Sequence, residues 1–308
     1  MILLWGLTGD GPFDAVRAAL ARRRAPVALV DQRRLLEMEI DLWVDPDLHA
    51  TLTLGGEPVP LDEVRAVYVR TYDPRRLPSV LAAGESSAAA RVGMSVEEAI
   101  LLWLELTDAK VVNRPSDMAS NGSKPYQIEL LRAQGFAVPN TLVTTDPDAA
   151  RRFWTDSGAA IYKSVSGVRS VVSRLSEAHL DRLDSVVWCP TQFQQFVPGR
   201  DHRVHVVGDD VFACEVTSDA DDYRYAARSG DPARLRACTL PVEIAERCLA
   251  TSRALALPLA GIDLRRAPDG RWFCFEVNPC PGFTYFEANT GQPIADAIAG
   301  YLERAARS

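Results

Sequence analysis

The chain has 308 residues, of which 47% are hydrophobic and 24% charged, and carries a formal net charge of -7. That length holds two domains or three small lobes with a sizeable core, and the acidic balance excludes a general nucleic-acid binder, which needs a basic surface against phosphates. No apolar run reaches the ~20 residues that span a bilayer, and the run at 1–5 is cut off by Gly6 too early for a signal peptide, so a cytoplasmic protein without a membrane partner is expected.

Residues 1–7 read as a strand, 8–12 as a Gly-rich turn, 13–24 as a helix and 26–30 as a second strand ending at Asp31. The glycines run G-x-x-G-x-G at Gly6, Gly9 and Gly11, which is not the G-x-G-x-x-G of a dinucleotide-binding turn, so a plain tight turn is the better reading. A third strand at 66–69 ends in Arg70-Thr71-Tyr72, a long helix covers 86–107, and a short strand at 111–112 stops at Asn113-Arg114-Pro115. This part has the look of a small open α/β sheet. Its long helix is a candidate dimer face, although Ala-rich amphipathic helices more often pack on their own sheet.

From 116 onward the texture changes. A helix at 124–134 stops at Gly135, strands follow at 159–163, 168–174, 192–197, 203–207 and 211–217, and a helix is expected at 177–183. The polar stretch 218–238 reads as a loop. A helix at 242–255, two strands around Asp263 and Glu276, and a last helix at 293–304 complete the chain. The six cysteines, at 189, 214, 238, 248, 274 and 280, stand singly and spell neither a zinc site nor a redox dithiol. Cys274 reads as core, and Cys280, next to the acidic residues, is the only one near candidate chemistry.

Three oxygen-bearing side chains interrupt the apolar runs Gly261-Ile262-Asp263-Leu264 and Phe275-Glu276-Val277-Asn278-Pro279. Glu276 and Asn278, two apart on a strand, leave the same face, and Asp263 can join them. Two carboxylates and an amide oxygen suit magnesium, which keeps other positions for water and phosphate; a hairpin with a solvated polar face has the same pattern. Lysine is scarce, with Lys110, Lys124 and Lys163 set against 31 arginines. Lys124 at a helix start and Lys163 at a strand end therefore suggest a use for a compact ammonium. The strand at 192–197 runs into the turn Pro198-Gly199-Arg200, and can offer backbone groups to an adenine edge, with Asp201 beyond it for a ribose. Asp201, Arg203 and His205 then alternate onto one face, with Arg203 placed for phosphates.

Taken in this order, Lys124, Lys163, Gln194-Gln195-Phe196-Val197-Pro198-Gly199-Arg200-Asp201, the Asp201–Gly208 strand, Gly261-Ile262-Asp263-Leu264 and Glu276-Val277-Asn278-Pro279 resemble the ATP-grasp ligases over residues 110–308. Within them the chain is similar to the ribosomal-protein glutamate ligases and more closely to the microviridin-type (graspetide) peptide ligases. The closer likeness rests on Val69-Arg70, on Thr217-Ser218 with Asp222-Tyr223-Arg224, and on Gly291-Gln292-Pro293-Ile294-Ala295. The resemblance implies an α/β fold with α+β grasp lobes: an N-terminal α/β domain at 1–112, a central lobe at 113–198 and a C-terminal lobe with the metal site at 199–308. It implies ATP and magnesium, with two ions, and an acyl phosphate that an amine or hydroxyl attacks. Lys124, Lys163 and the loop at Gly167 would hold phosphates, Gln194 to Val197 the adenine, and Asp201 the ribose. Asp263, Glu276 and Asn278 would hold metal, and Arg203 and Arg224 would neutralise the transferring phosphoryl group. Two departures stand out: the loop Ser164–Ser170 has one glycine where many relatives have several, and Gln195 stands where an acid is common.

Arg70 and Tyr72 lie where open α/β sheets place ligands, at a strand's C-terminal end. They are expected to meet the substrate, with Arg70 forking a carboxylate, and residues 280–286 to add an aromatic wall. The expected partner is a peptide or amino-acid substrate, and a ligase acting on free amino acids is the alternative to a peptide ligase.

Overall fold

The computed structural model describes residues 1–165, 172–218 and 233–307. It opens with β1 (Ile2–Gly6), α1 (Gly11–Arg22) and β2 (Val27–Asp31). Asp10 caps α1 by accepting from the Phe13 N–H, and Pro12 occupies the first turn, where its missing N–H has no partner to lose. A three-stranded antiparallel sheet that the sequence expectation lacked comes next: β3 (Met38–Val44), β4 (Leu48–Leu54) and β5 (Glu57–Pro60). Met38, Ile40 and Leu42 alternate with Glu39 and Asp41 as a half-buried strand should. The strand at Ala66–Arg70 is therefore β6.

After α2 (Pro78–Ala83), α3 (Ala88–Leu106) and β7 (Lys110–Val112), a parallel sheet is complete in the order β2-β1-β6-β7. Both faces of β1 are buried because each has its own cover. Ile2 and Leu4 pack with Phe13, Val16 and Leu20 of α1, while Leu3 and Trp5 pack with Ile100, Trp103 and Leu104 of α3. Continuous apolar runs of this kind are what a strand covered on both faces requires.

The central part holds α4 (Lys124–Ala133), β8 (Thr141–Thr144), α5 (Pro147–Ser157), β9 (Ala160–Ser164), β10 (Ser173–Arg174), α6 (Glu177–Leu180) and β11 (Thr191–Gln195). Its antiparallel sheet runs β10-β9-β11-β8. Helix α5 was not expected, although Asp146 caps it and Pro147 opens it. The helix expected at 177–183 is α6 alone, followed by a 3-10 turn at Leu183–Trp188. Ala160, Tyr162 and Phe193 form a core with Ala150, Phe153 and Trp154 of α5. Strand alternation then turns Ile161, Lys163, Gln192 and Gln194 to the opposite face.

The last part comprises β12 (Arg200–Val207), β13 (Asp210–Thr217), β14 (Arg234–Cys238), α7 (Val242–Ala254), β15 (Leu259–Arg266), β16 (Trp272–Asn278), α8 (Thr284–Thr290) and α9 (Ile294–Arg307). The sheet order is β14-β13-β12-β15-β16. The loop expected at 218–238 is thus corrected at its end, since Arg234–Cys238 pairs with β13 as an edge strand; residues 219–232 lie outside the described residues. Val204, Val206, Ile262, Leu264, Cys274 and Val277 face a core shared with α4 and α7. Helix α9 returns to the N-terminal sheet, where Ile298 and Leu302 join the α1 core together with Val207 of β12 and Leu259 of β15. Arg23 clasps Asp296 there, at 3.0 and 2.6 Å. Among the described residues no helix is long and apolar enough to cross a membrane.

One buried carboxyl sits inside the N-terminal part. Gln32 Nε2 donates to Glu97 Oε1 at 3.0 Å and to the Tyr72 carbonyl at 2.7 Å, and its Oε1 accepts from the Tyr72 N–H. Burial is the main force raising Glu97 to about 7, with the Gln32 bond opposing it and the Asp73 charge adding to it. Between the unfolded value near 4.5 and about 7 the folded chain keeps a proton that the unfolded chain has lost, so this group's contribution falls as pH rises through that window. The loss is at most about 3 kcal/mol. Glu97→Gln should flatten the decline in melting temperature between pH 5 and pH 8; an unchanged pH profile in the variant would remove Glu97 as its source.

Candidate functional site

The face of the C-terminal sheet turned away from its core carries the acidic residues. Asp263 pairs with Glu276 across β15 and β16, and Gly261 pairs with Asn278. The register shifts after Asp263, where Leu264 pairs with Cys274, leaving Phe275 as the extra residue of a bulge. Strict alternation would have put Cys274 on the same side as Glu276 and Asn278. The bulge instead sends Cys274 into the core while Glu276 and Phe275 both line the cleft.

Each carboxylate has a cation beside it. Arg203 Nη1 donates to Asp263 Oδ1 at 2.7 Å, and Lys124 Nζ lies 3.0 Å from Glu276 Oε1. A Cβ on Gly261 would strike the Arg203 guanidinium and Pro281, so only glycine lets that side chain lie flat against β15. Arg203 Nε also lies 3.5 Å from His205 Nε2. Burial, and then the Arg203 charge, holds His205 well below its ordinary value, so its ring is a neutral neighbour, tilted against Phe286 with ring centroids 5.0 Å apart. Asn278 Oδ1 accepts from the Cys280 N–H at 2.9 Å and keeps a second lone pair. Among the described residues no three His, Cys, Asp or Glu side chains converge for a metal. The candidate set is therefore two carboxylates plus one amide oxygen, donors that fit a hard cation.

A cleft open to solvent, with a cavity volume of about 100 Å³, runs from this corner between the central and C-terminal sheets, and Ile161, Lys163, Gln194, Gln195, Phe196, Val197, Asp201, Asp263 and Glu276 line it. Most of the expected binding residues are thereby brought together. Where the central and C-terminal sheets meet, Gln195 N–H donates to Asn140 O at 2.8 Å and Phe196 N–H to Ala159 O at 2.9 Å. Arg265, which sequence reasoning passed over, grips Asp201 through Nε at 2.6 Å and Nη2 at 2.9 Å. Its Nη1 donates to Val197 O at 2.7 Å, tying the end of this connection to Asp201. Gly167 and Arg224, with Asp222 and Tyr223, lie outside the described residues.

Arg70 and Tyr72 meet through Asp10: Arg70 Nε and Tyr72 OH both donate to its carboxylate, the latter at 3.0 Å. Arg70 Nη1 also reaches Cys280 Sγ at 3.0 Å and Pro281 O at 3.2 Å, which links the parallel sheet to the loop after Asn278. The expected aromatic wall is reduced. Phe283 is fully buried in the α1 core, Phe286 packs on His205, and Tyr285 is exposed.

A model of the RimK-like ATP-grasp domain matches residues 121–302. The chain belongs to that family. It is an ATP-grasp ligase, a class that uses ATP with magnesium. The ribosomal protein bS6–L-glutamate ligase of Escherichia fergusonii is 29% identical over 229 residues, covering 70% of this chain and 75% of that one. The ATP-grasp ligase PsnB, solved with a minimal precursor, Mg and ADP, is 28% identical with a TM-score of 0.81, covering 99% of this chain and 97% of that one. The macrocyclase MdnC from Microcystis aeruginosa MRC, solved with the precursor peptide MdnA, has a TM-score of 0.82 over 99% of this chain and 100% of that one; at 22% identity it shows the fold alone.

In this ATP-grasp chain two buried amides hold the acidic strands in place, and neither was singled out from sequence. Gln127 of α4 donates from Nε2 to Val277 O at 2.8 Å and accepts from Val277 N–H at 3.0 Å, closing the outer edge of β16 between Glu276 and Asn278. It also fixes the helix whose first residue, Lys124, meets Glu276. Asn113 Nδ2 bridges Leu259 O at 2.7 Å and Pro279 O at 2.5 Å, and its Oδ1 takes the Leu259 N–H at 3.1 Å. A signal existed, since polar amides beside Pro115 and inside an apolar helix face need partners. Which backbone they would meet was not readable. Gln127→Leu leaves both Val277 groups unpaired and should cost about 2 kcal/mol in a urea melt, with weaker magnesium-dependent ADP binding. Wild-type stability in that variant would show that β16 keeps its shape without the clamp.

Proposed function

We propose that this ATP-grasp ligase activates a carboxylate as an acyl phosphate and joins it to an amine or hydroxyl, acting on acidic side chains of a ribosomal peptide. The observation that carries the reading is the corner itself: Asp263, Glu276 and Asn278 on one bulged strand pair, with Arg203 and Lys124 in contact, at one end of the cleft. Phosphoryl transfer needs positioning and charge neutralisation more than a covalent protein group, and this corner supplies both. The γ-phosphoryl group would pass to a carboxylate oxygen with ADP leaving; the nucleophile would then attack the acyl carbon, lose its proton and expel phosphate.

In this reading Asp263, Glu276 and Asn278 hold magnesium, two ions in all, which would neutralise phosphate oxygens. Lys124 and Lys163 hold phosphates, together with the loop at Gly167, and Arg203 and Arg224 face the transferring group. The N–H groups of Gln195 and Phe196 are already bonded, so an adenine edge beside Gln194 would meet the Val197 N–H, with Asp201 beyond it for the ribose. Arg70 and Tyr72, held by Asp10, would present the substrate carboxylate near Cys280.

The peptide assignment is supported by the likeness to PsnB, solved with its minimal precursor, over nearly the whole chain. A ligase acting on free amino acids is the second reading. Phosphate release from ATP and magnesium, measured across free amino acids and across acidic peptides encoded near this gene, separates them. Release only with such a peptide, whose product is lighter by one water per bond, supports the first; release with amino acids alone supports the second and rejects the first.

Asp263→Asn and Glu276→Gln should each abolish turnover with the fold retained by circular dichroism. Turnover in both variants would refute the metal assignment. Lys163→Ala should weaken ADP binding at least tenfold by calorimetry, and an unchanged affinity would refute its phosphate role.

A further inference from the structure

Arg265 lines the cleft, and three of its nitrogens are engaged at once. Nε donates to Asp201 Oδ1 at 2.6 Å and Nη2 to Asp201 Oδ2 at 2.9 Å, the two-bond fork of a guanidinium on a carboxylate. Nη1 donates to Val197 O at 2.7 Å. The two side chains are 16% and 25% exposed, so both are mostly withdrawn from water, and both border the cleft.

A plain cross-strand ion pair would need less than this. Asp201 and Arg265 are directly opposed on β12 and β15, and a solvated pair of that kind contributes little. Here the same guanidinium also reaches past the turn at 198–199 to the carbonyl that precedes it. That turn lies tight on β15, since a Cβ on Gly199 would strike the Arg266 carbonyl. Arg265 thus fixes the end of the connection between the two sheets and the orientation of the acid together. The fork takes one acceptor site on each Asp201 oxygen and leaves each a second. Two held acceptor sites on one carboxylate suit two neighbouring hydroxyls. The guanidinium also offsets the charge of the acid, which alone would repel an anionic ligand in the same cleft.

We propose that Arg265 is a positioning residue for sugar selectivity in this chain, holding Asp201 so that its two remaining acceptor sites meet the 2′- and 3′-hydroxyls of a ribose. The inference rests on the reading of the cleft as the nucleotide site with Asp201 as its ribose acid. Arg265 acts through Asp201. Without the fork the carboxylate turns freely about its last bond, and a ligand must order it on binding. Held by the fork, it offers the hydroxyls a site already formed, and a sugar that lacks the 2′-hydroxyl leaves one acceptor without its partner.

The test compares magnesium–ADP with magnesium–2′-deoxy-ADP in calorimetric titrations of wild type, Arg265→Met, Arg265→Lys and Asp201→Asn. Wild type should favour ADP about tenfold, as one hydrogen bond to a charged group provides. Arg265→Met should bring the two affinities nearly level, and Arg265→Lys, which keeps the charge but not the fork, should lose most of the preference. The effect is read as a ratio, which a general loosening of the cleft does not move because it weakens both ligands alike. A wild-type ratio in Arg265→Met overturns the positioning role, and so does a wild-type ratio in Arg265→Lys, because charge alone would then suffice. Arg265→Lys carries the test by itself if Arg265→Met does not fold. A ratio lost in Asp201→Asn but kept in the Arg265 variants overturns this inference alone. A ratio kept in Asp201→Asn, or no preference in wild type, overturns the ribose role of Asp201 and this inference with it.

Discussion

The one-residue bulge between β15 and β16 is the constraint on which the rest of the site depends. A regular ladder would place Cys274, Glu276 and Asn278 on one face, and the core and the cleft would then compete for the same side of the strand. With Phe275 as the extra residue, Cys274 and Val277 go inward while Glu276 and Asn278 go outward opposite Asp263 and Gly261. Two carboxylates so close together repel one another unless cations attend them, and Arg203 and Lys124 do so. Lys124 comes from a different element altogether, so the acidic pair draws α4 onto the edge of the C-terminal sheet.

Two of the buried amides, Gln127 and Asn113, serve that edge. β16 is the outermost strand of its sheet, and its outward backbone groups would be exposed or unpaired without a cover. Gln127 supplies the missing partners at Val277, and Asn113 does the same work between Leu259 and Pro279. Arg70 adds a third tie, from the end of β6 to Cys280 and Pro281. The parallel sheet, the α4 helix and the acidic strands are thereby held in one frame, with α9 closing it from behind through Ile298 and Leu302. The central sheet meets the C-terminal sheet at the short connection 196–199, where Arg265 joins Val197 to Asp201.

Much of this was legible in the residues themselves. Asp263, Glu276 and Asn278 interrupt apolar runs, and charge in such runs demands a reason. The two lysines stood out against 31 arginines, and both reach the cleft or its corner. The helices α1, α3, α4, α7 and α9 carried their apolar periods in plain view. The β3-β4-β5 sheet and α5 were missed for a different reason: their patterns are short, and their apolar residues find cover only when distant segments arrive. The 3-10 turn that replaces the end of the expected helix at 177–183 follows the same logic, since Leu183 and Val186 are placed by the α5 core rather than by their own period.

Residue identity alone determined the class of chemistry, because oxygen donors, scarce ammonium groups and an acid after a strand end keep their character wherever the chain puts them. It also determined the apolar periods that build each helix and strand, since those depend only on near neighbours. The tertiary structure decided which of those groups meet. The clamp of Gln127 on Val277, the grip of Arg265 on Asp201 and the fixing of Arg70 by Asp10 all join residues far apart in the chain. None of these pairings has a local signature, because a hydrogen-bond partner 60 or 150 positions away is set by how the sheets pack.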